Sequence, residues 1–281
     1  MSLPLFHAPA LLGLAFAGSL VGCATADETL GTPDAFPTRT DGNSGIVDGG
    51  ANPDSGGPTA CDQALANLRF DFESGAEGFV HAPMPIAVAS GVDWTFDHWE
   101  QGSVSAGRSC ISGQECFGTN LDGNYIQCQR AYLVSPPIDL SDCAAESRDV
   151  SLHFQHNYNF WTGNEGGPKF DGGLVEISAD GTNWQSATLL YPGTIAINPN
   201  IGSFACVENE PGQFYVDGQD GYVGNSNGWV SENFVIPSAL ATVTFQVRFV
   251  YASGVSSQTS DQIESMAGTR PGWFLDNLRF Q

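Results

Sequence analysis

From position 68 onward polar and apolar residues alternate. Leu68, Phe70 and Phe72 fall on one side of an extended segment, with Arg69, Asp71 and Glu73 on the other. Val243, Phe245, Val247, Phe249 and Tyr251 alternate with Thr244, Gln246 and Arg248, the longest strand signal in the chain. Val175 and Ile177 alternate with Glu176 and Ser178 until Asp180-Gly181, a turn signal. Further strands are predicted at 131–134, 150–156, 233–236 and 273–280. No long window carries a helical period. Strands in this number, separated by turns, predict an all-β domain over residues 61–281: a two-sheet sandwich of jelly-roll type.

Composition supports a packed core. The chain holds 18 Phe, 7 Tyr and 6 Trp, with 34 Gly and 16 Pro to make its turns. Its 9 Lys+Arg against 31 Asp+Glu leave a net charge of −22, which excludes nucleic acid and an anionic membrane surface as electrostatic partners. Lys169 is the only lysine.

Residues 8–21 are apolar and small, too short a run to span a bilayer comfortably and the right length for a signal-peptide core. The run ends in Leu20-Val21-Gly22-Cys23, which resembles a bacterial lipobox. That resemblance implies cleavage after residue 22 and lipidation of Cys23, and with Ala24 rather than aspartate next it implies an outer-membrane lipoprotein of the bacterial cell envelope, surface-exposed or periplasm-facing. The n-region, residues 1–7, lacks Lys and Arg, and ordinary cleavage near Ala24-Thr25-Ala26 is the rival reading. Residues 23–60 are rich in Gly, Pro, Thr, Asp, Ala and Ser, with Phe36 as the only aromatic, so this stretch is expected to be a flexible spacer. Its root-mean-square reach is on the order of 35 Å.

Setting Cys23 aside leaves Cys61, Cys110, Cys116, Cys128, Cys143 and Cys206, an even set that suits an oxidising compartment. Cys110 and Cys116 bracket a short glycine-containing loop and are the first expected bridge. Cys128–Cys143 and Cys61–Cys206 are expected to follow. No Cys-x-x-Cys pair argues for a metal site among them.

The motifs Phe70-Asp71-Phe72-Glu73-Ser74-Gly75, Leu121-Asp122-Gly123-Asn124-Tyr125, Tyr132-Leu133-Val134-Ser135-Pro136 and Gly272-Trp273-Phe274-Leu275-Asp276-Asn277-Leu278, in this order, resemble MAM-type jelly-roll domains. The closest variant is the MAM-like module near the C-terminus of bacterial immune inhibitor A metallopeptidases. The resemblance implies the sandwich and no particular function. It also implies a structural calcium ion, with Glu73 and Asp276 as ligands and Asp97 or Asp171 as additions. Simple alternation places Asp276 on the face of Phe274, Leu278 and Phe280, pointing an acid inward, and a buried carboxylate must be paired, coordinated or protonated. The alternative is an aspartate held by backbone amides or paired with Arg69 or Arg279.

Enzyme chemistry finds little support. The five histidines form no His-Glu-x-x-His, no Gly-x-Ser-x-Gly elbow occurs, and a glycosidase pair cannot be picked from so many acids without coordinates. His156 is expected at a core edge with a hydrogen-bonded partner. Most tryptophans fall in strand contexts that predict core, whereas Tyr158 and Trp161 sit in a polar, glycine-containing loop, where binding residues collect. Trp161 folded back over a core edge is the other reading. The function expected is a surface lipoprotein whose sandwich binds a glycan or protein ligand without catalysis. Its rivals are a glycan or ester hydrolase and a purely structural envelope component.

Overall fold

The computed structural model describes residues 57–83, 97, 99–105, 108–125, 130–161, 169, 171–195, 218–253 and 270–281. Cys23, Cys128, Cys206 and Trp94 lie outside them. The strands are β1 (Arg69–Phe70), β2 (Val80–Pro83), β3 (Trp99–Ser103), β4 (Glu115–Thr119), β5 (Arg130–Val134), β6 (Val150–Asn159) and β7 (Gly172–Ser178). They continue with β8 (Gln185–Ser186), β9 (Gly193–Thr194), β10 (Asp220–Gly221), β11 (Val230–Ile236), β12 (Gln246–Ala252) and β13 (Gly272–Phe280). Two short helices, α1 (Ala60–Leu65) and α2 (Ser141–Ala145), complete the described elements together with one 3-10 turn.

The two-sheet sandwich predicted from alternation is present. One sheet runs β11-β6-β13-β4-β3, with β1 also paired to β13; the other runs β2-β5-β12-β7-β8, and every pairing is antiparallel. Side chains from the inner faces close the core: Trp99, Phe154, Phe249, Tyr251 and Trp273 are all essentially buried. On β12, Val247, Phe249 and Tyr251 point inward as the alternation requires, as does Phe245 just ahead of it, whereas Val243 is exposed. The outer face of the second sheet is covered in part by the β9–β10 ribbon over Leu174, Val250 and Ala252.

β13 departs from simple alternation. Trp273 and Leu275 face the core, and so do Leu278 and Phe280, because the register slips between Asp276 and Arg279, where Asn277 adopts a left-handed φ of 52°. The slip reverses parity. Asp276 therefore lies on the outer side of the sheet with Phe274, and not among Leu278 and Phe280.

The disulfides correct two expected pairings. Cys110–Cys116 forms as expected, but Cys61 bonds Cys143, not Cys206, and Cys143 is therefore not bonded to Cys128. The reason is local: Thr59 caps α1 with a reciprocal capping box, α1 packs on α2, and this brings the two buried cysteines together. Arg148 pairs with Asp62, and Glu146 accepts from the Cys61 amide, closing the same corner.

Candidate functional site

The outer face of the β6-containing sheet carries the candidate site. β6 alternates throughout, so Leu152, Phe154, His156, Tyr158 and Phe160 face the core, and His153, Gln155, Asn157 and Asn159 face outward. Beside Asn157 and Asn159 a groove of about 410 Å³ opens, with Phe274 in its floor and Arg108, Asn225, Asn227 and Trp229 on its walls. Phe274 lies flat against β4 because Gly118 opposes it: a Cβ there would come within 2.7 Å of the ring. The Arg108 guanidinium stands 5.8 Å from the Phe274 ring centroid and donates to the Gly123 carbonyl at 2.7 Å. The half-buried Trp229 is fixed by its indole N–H, which donates to the Ser109 carbonyl at 3.1 Å. Ser226 donates to the Asn157 carboxamide oxygen at 3.2 Å, and the Asn159 carboxamide has no protein partner among the described residues.

Such a lining presents carboxamides, an indole and one cation. Carboxamides both donate and accept, as vicinal hydroxyls do, and an aromatic face packs against C–H groups. No described carboxylate lines this groove.

The loop 110–116 follows directly on Arg108 and Ser109, which line the groove. Glu73 accepts from the Gln114 amide at 2.9 Å and from the Glu115 amide at 2.9 Å. Asp276, fully buried, accepts from the Ser112 amide at 3.1 Å, the Ser112 hydroxyl at 3.3 Å and the Asn277 amide at 2.7 Å. Burial pushes the Asp276 carboxyl above its ordinary value, and these donors pull it back only in part. Gly113 sits at φ 52°, and a Cβ there would meet the Glu73 carboxylate at 2.2 Å.

Of the four expected calcium ligands, the structure brings Glu73 and Asp276 to this one loop and gives the others separate work. Asp97 accepts from the Trp99 amide and meets His81 Nδ1 at 2.6 Å, raising the histidine's pKa. Asp171, buried, takes the hydroxyl of Tyr125. No three His, Cys, Asp or Glu side chains cluster among the described residues. The Glu73 and Asp276 carboxylates accept amide and hydroxyl hydrogens, the arrangement of a carboxylate-held loop. Among the described residues Asp276 does not pair with Arg69 or Arg279; backbone amides hold it.

Tyr158 and Trp161 are not an exposed pair. Tyr158 is buried, stacked on Phe160 with ring centroids 6.1 Å apart. Trp161 packs against the core edge, and its amide donates to Tyr125 at 2.8 Å. The groove takes its aromatic lining from Trp229 and Phe274 instead.

Comparison with known proteins adds a partial relative. No family model matches the chain. A stretch of 124 residues, 43% of the chain, is 34% identical to bacillopeptidase F of Bacillus subtilis (strain 168), and it spans 7% of that protein's length. Among solved structures, the K2 cleaved adhesin domain of Lys-gingipain is similar over 76% of this chain and 87% of its own, at 13% identity and a TM-score of 0.31. The CBM22-2 xylan-binding domain of Paenibacillus barcinonensis Xyn10C is similar over 76% and 98%, at 11% identity and a TM-score of 0.32.

Proposed function

We propose that this chain is a non-catalytic binding protein whose sandwich holds a carbohydrate in the groove between Asn157, Asn159, Asn227 and Trp229. The observation that carries this reading is the lining itself: carboxamides matched to sugar hydroxyls, with a fixed indole at the rim and no carboxylate among the described lining residues. Glycoside hydrolysis commonly uses two carboxylates flanking the bond, and none faces this groove. The groove is open and shallow, which suits the side of a polymer more than a reaction that must exclude water.

The remainder of the proposal rests on sequence. The order of motifs from Phe70 to Leu278 supports a MAM-like sandwich, the lipobox supports a lipid on Cys23 in the bacterial outer membrane, and the composition of residues 24–60 supports a spacer that holds the domain off that surface. A glycan array probed with the full chain tests the function, with Asn157→Ala/Asn159→Ala beside it. Binding to a defined set of glycans, lost in the variant, is the expected result. Binding to none of them, or equal binding by the variant, would leave a protein ligand or a structural role. Radiolabelled palmitate incorporation lost in Cys23→Ser is the expected result for the anchor.

A further inference from the structure

On the same outer face, one register row crosses three neighbouring strands with basic side chains. Arg69 of β1 stands opposite Arg279 of β13, and Arg279 stands opposite His153 of β6. All three point away from the core: both arginines are exposed, and the residues flanking them, Phe70, Leu278 and Phe280, pack inward. These side chains, with Asp71, Gln155 and Asn277, line a second groove of about 340 Å³.

Like charges placed directly opposite on adjacent strands destabilise a sheet. The chain holds only 9 Lys+Arg, yet two of them are set side by side here. Among the described residues neither arginine is ion-paired, unlike Arg148, which pairs with Asp62, and Arg248, which pairs with Glu176. Two acids, Asp71 and Glu232, also line the groove, and neither is ion-paired with the row. Asp71 accepts from the Glu73 amide at 3.2 Å, and Glu232 turns toward His156 at 3.7 Å. Burial and the neighbouring Arg279 both hold the His153 pKa below its ordinary value, as expected where positive charge is crowded without a counter-ion.

We infer that Arg69, Arg279 and His153 bind an anionic substituent, a carboxylate or sulfate ester, on the glycan that occupies the amide groove. The inference rests on that carbohydrate reading and narrows it to an acidic polysaccharide. Both grooves lie on the outer face of β6, one lined by His153 and Gln155 and the other by Asn157 and Asn159. His153 and Asn157 are four residues apart on β6, roughly 13 Å along the strand, and the floor between them is the Gln155–Asn277 pair, in which Asn277 Nδ2 donates at 2.7 Å. One short oligosaccharide can therefore place its hydroxyls on the asparagines and its acid group on the arginines. Guanidinium groups suit this role, since their forked donors match a carboxylate or a sulfate oxygen pair.

The test titrates the full chain with three oligosaccharide preparations of one backbone: neutral, carboxylated and sulfated. Inorganic sulfate is titrated separately while the His153 imidazole is followed by NMR. The expected result is at least tenfold tighter binding of one acidic form than the neutral one at low salt, with the excess shrinking as salt rises. Arg69→Gln/Arg279→Gln should lose the excess and keep neutral binding, and because both residues are exposed and mutually repulsive its melting temperature should hold or rise. Carboxylated against sulfated preference identifies the group. A sulfate-induced His153 shift with no glycan bound would keep the anion site and sink the carbohydrate reading. Equal affinity for neutral and acidic forms, or an acidic preference surviving in the double variant, would overturn the inference. So would sulfate leaving His153 unmoved when no glycan binds.

Discussion

The indole N–H of Trp273 donates to Nδ1 of His156 at 3.1 Å, with both side chains fully buried where β13 meets β6. The bond fixes the tautomer: Nδ1 accepts, so the ring proton sits on Nε2, which has no hydrogen-bond partner and faces Glu232 at 3.7 Å.

Burial holds His156 below its ordinary pKa of 6.5, against the weaker pull of Glu232. Above that value the folded and unfolded chains both keep a neutral ring. Below it the unfolded chain takes up a proton that the folded chain refuses, so stability falls, by up to about 1.4 kcal/mol per pH unit. His81, raised by Asp97, works in the opposite sense and on the other side of 6.5: its stabilisation is complete below that value and is lost as the pH rises above it. The measurement is therefore made on His81→Gln, whose melting temperature should drop between pH 7 and 5.5 while His156 titrates by NMR below 6.5. A level profile would show that the ring protonates freely in the folded state.

Asp276→Ala should strand the amides of Ser112 and Asn277, at a cost of about 2–4 kcal/mol in denaturant unfolding. Asp276→Asn keeps one acceptor oxygen and should cost less. Because amides fill the site, chelator is expected to leave the wild-type melting curve where it is. A fall with chelator, restored by calcium, would instead place an ion at Glu73 and Asp276.

The two bridges should differ in weight. Closing the 82-residue separation between Cys61 and Cys143 removes more unfolded-chain freedom than closing six residues, about 4–5 kcal/mol against about 2. Cys61→Ser/Cys143→Ser should therefore destabilise the domain more than Cys110→Ser/Cys116→Ser. The second variant should mainly weaken glycan binding, since it frees the wall that holds Trp229 through Ser109. Non-reducing peptide mapping should recover the 61–143 link directly.

Trp229→Ala should cost glycan affinity about 1–2 kcal/mol, roughly five- to thirtyfold, with little change in melting temperature. Trp161→Ala, which removes a side chain packed on the core, should lower stability instead. Reversed outcomes would return the ligand to the 161 loop.

Gly113→Ala should destabilise the 110–116 loop, since it adds a Cβ at a left-handed φ and against the Glu73 carboxylate. Proteolysis within the loop should speed up. Unchanged resistance would mean that Glu73 can retreat without releasing Gln114 and Glu115.

The sequence pattern locates β5, β6, β7, β11, β12 and β13; β6 buries one face throughout, whereas β7 is buried on both and shows its period only because Glu176 and Ser178 alternate with the core residues Val175 and Ile177. Two failures share a cause. A constant period carried across Asn277 points Asp276 inward, but the backbone bulges there. The polar neighbours of Tyr158 resemble a loop, yet β6 runs on to Asn159 and the same period puts Tyr158 inside and the groove asparagines outside. The groove itself was not legible: residues 108, 157, 159, 227, 229 and 274 are joined only by strand pairing and a disulfide-closed loop. β3, β4 and the short strands carry glycine or too few residues to show a period.

The Cys61–Cys143 bond has a mechanical consequence. Any pull on the chain ahead of Cys61 reaches the disulfide before it reaches β1, and it passes through sulfur directly to α2. The segment between these cysteines, which includes β1 to β5 and the 110–116 loop, is a closed covalent ring off the path of tension. A pull transmitted through the chain ahead of Cys61 therefore leaves that ring unextended, and the 110–116 loop keeps its shape under it.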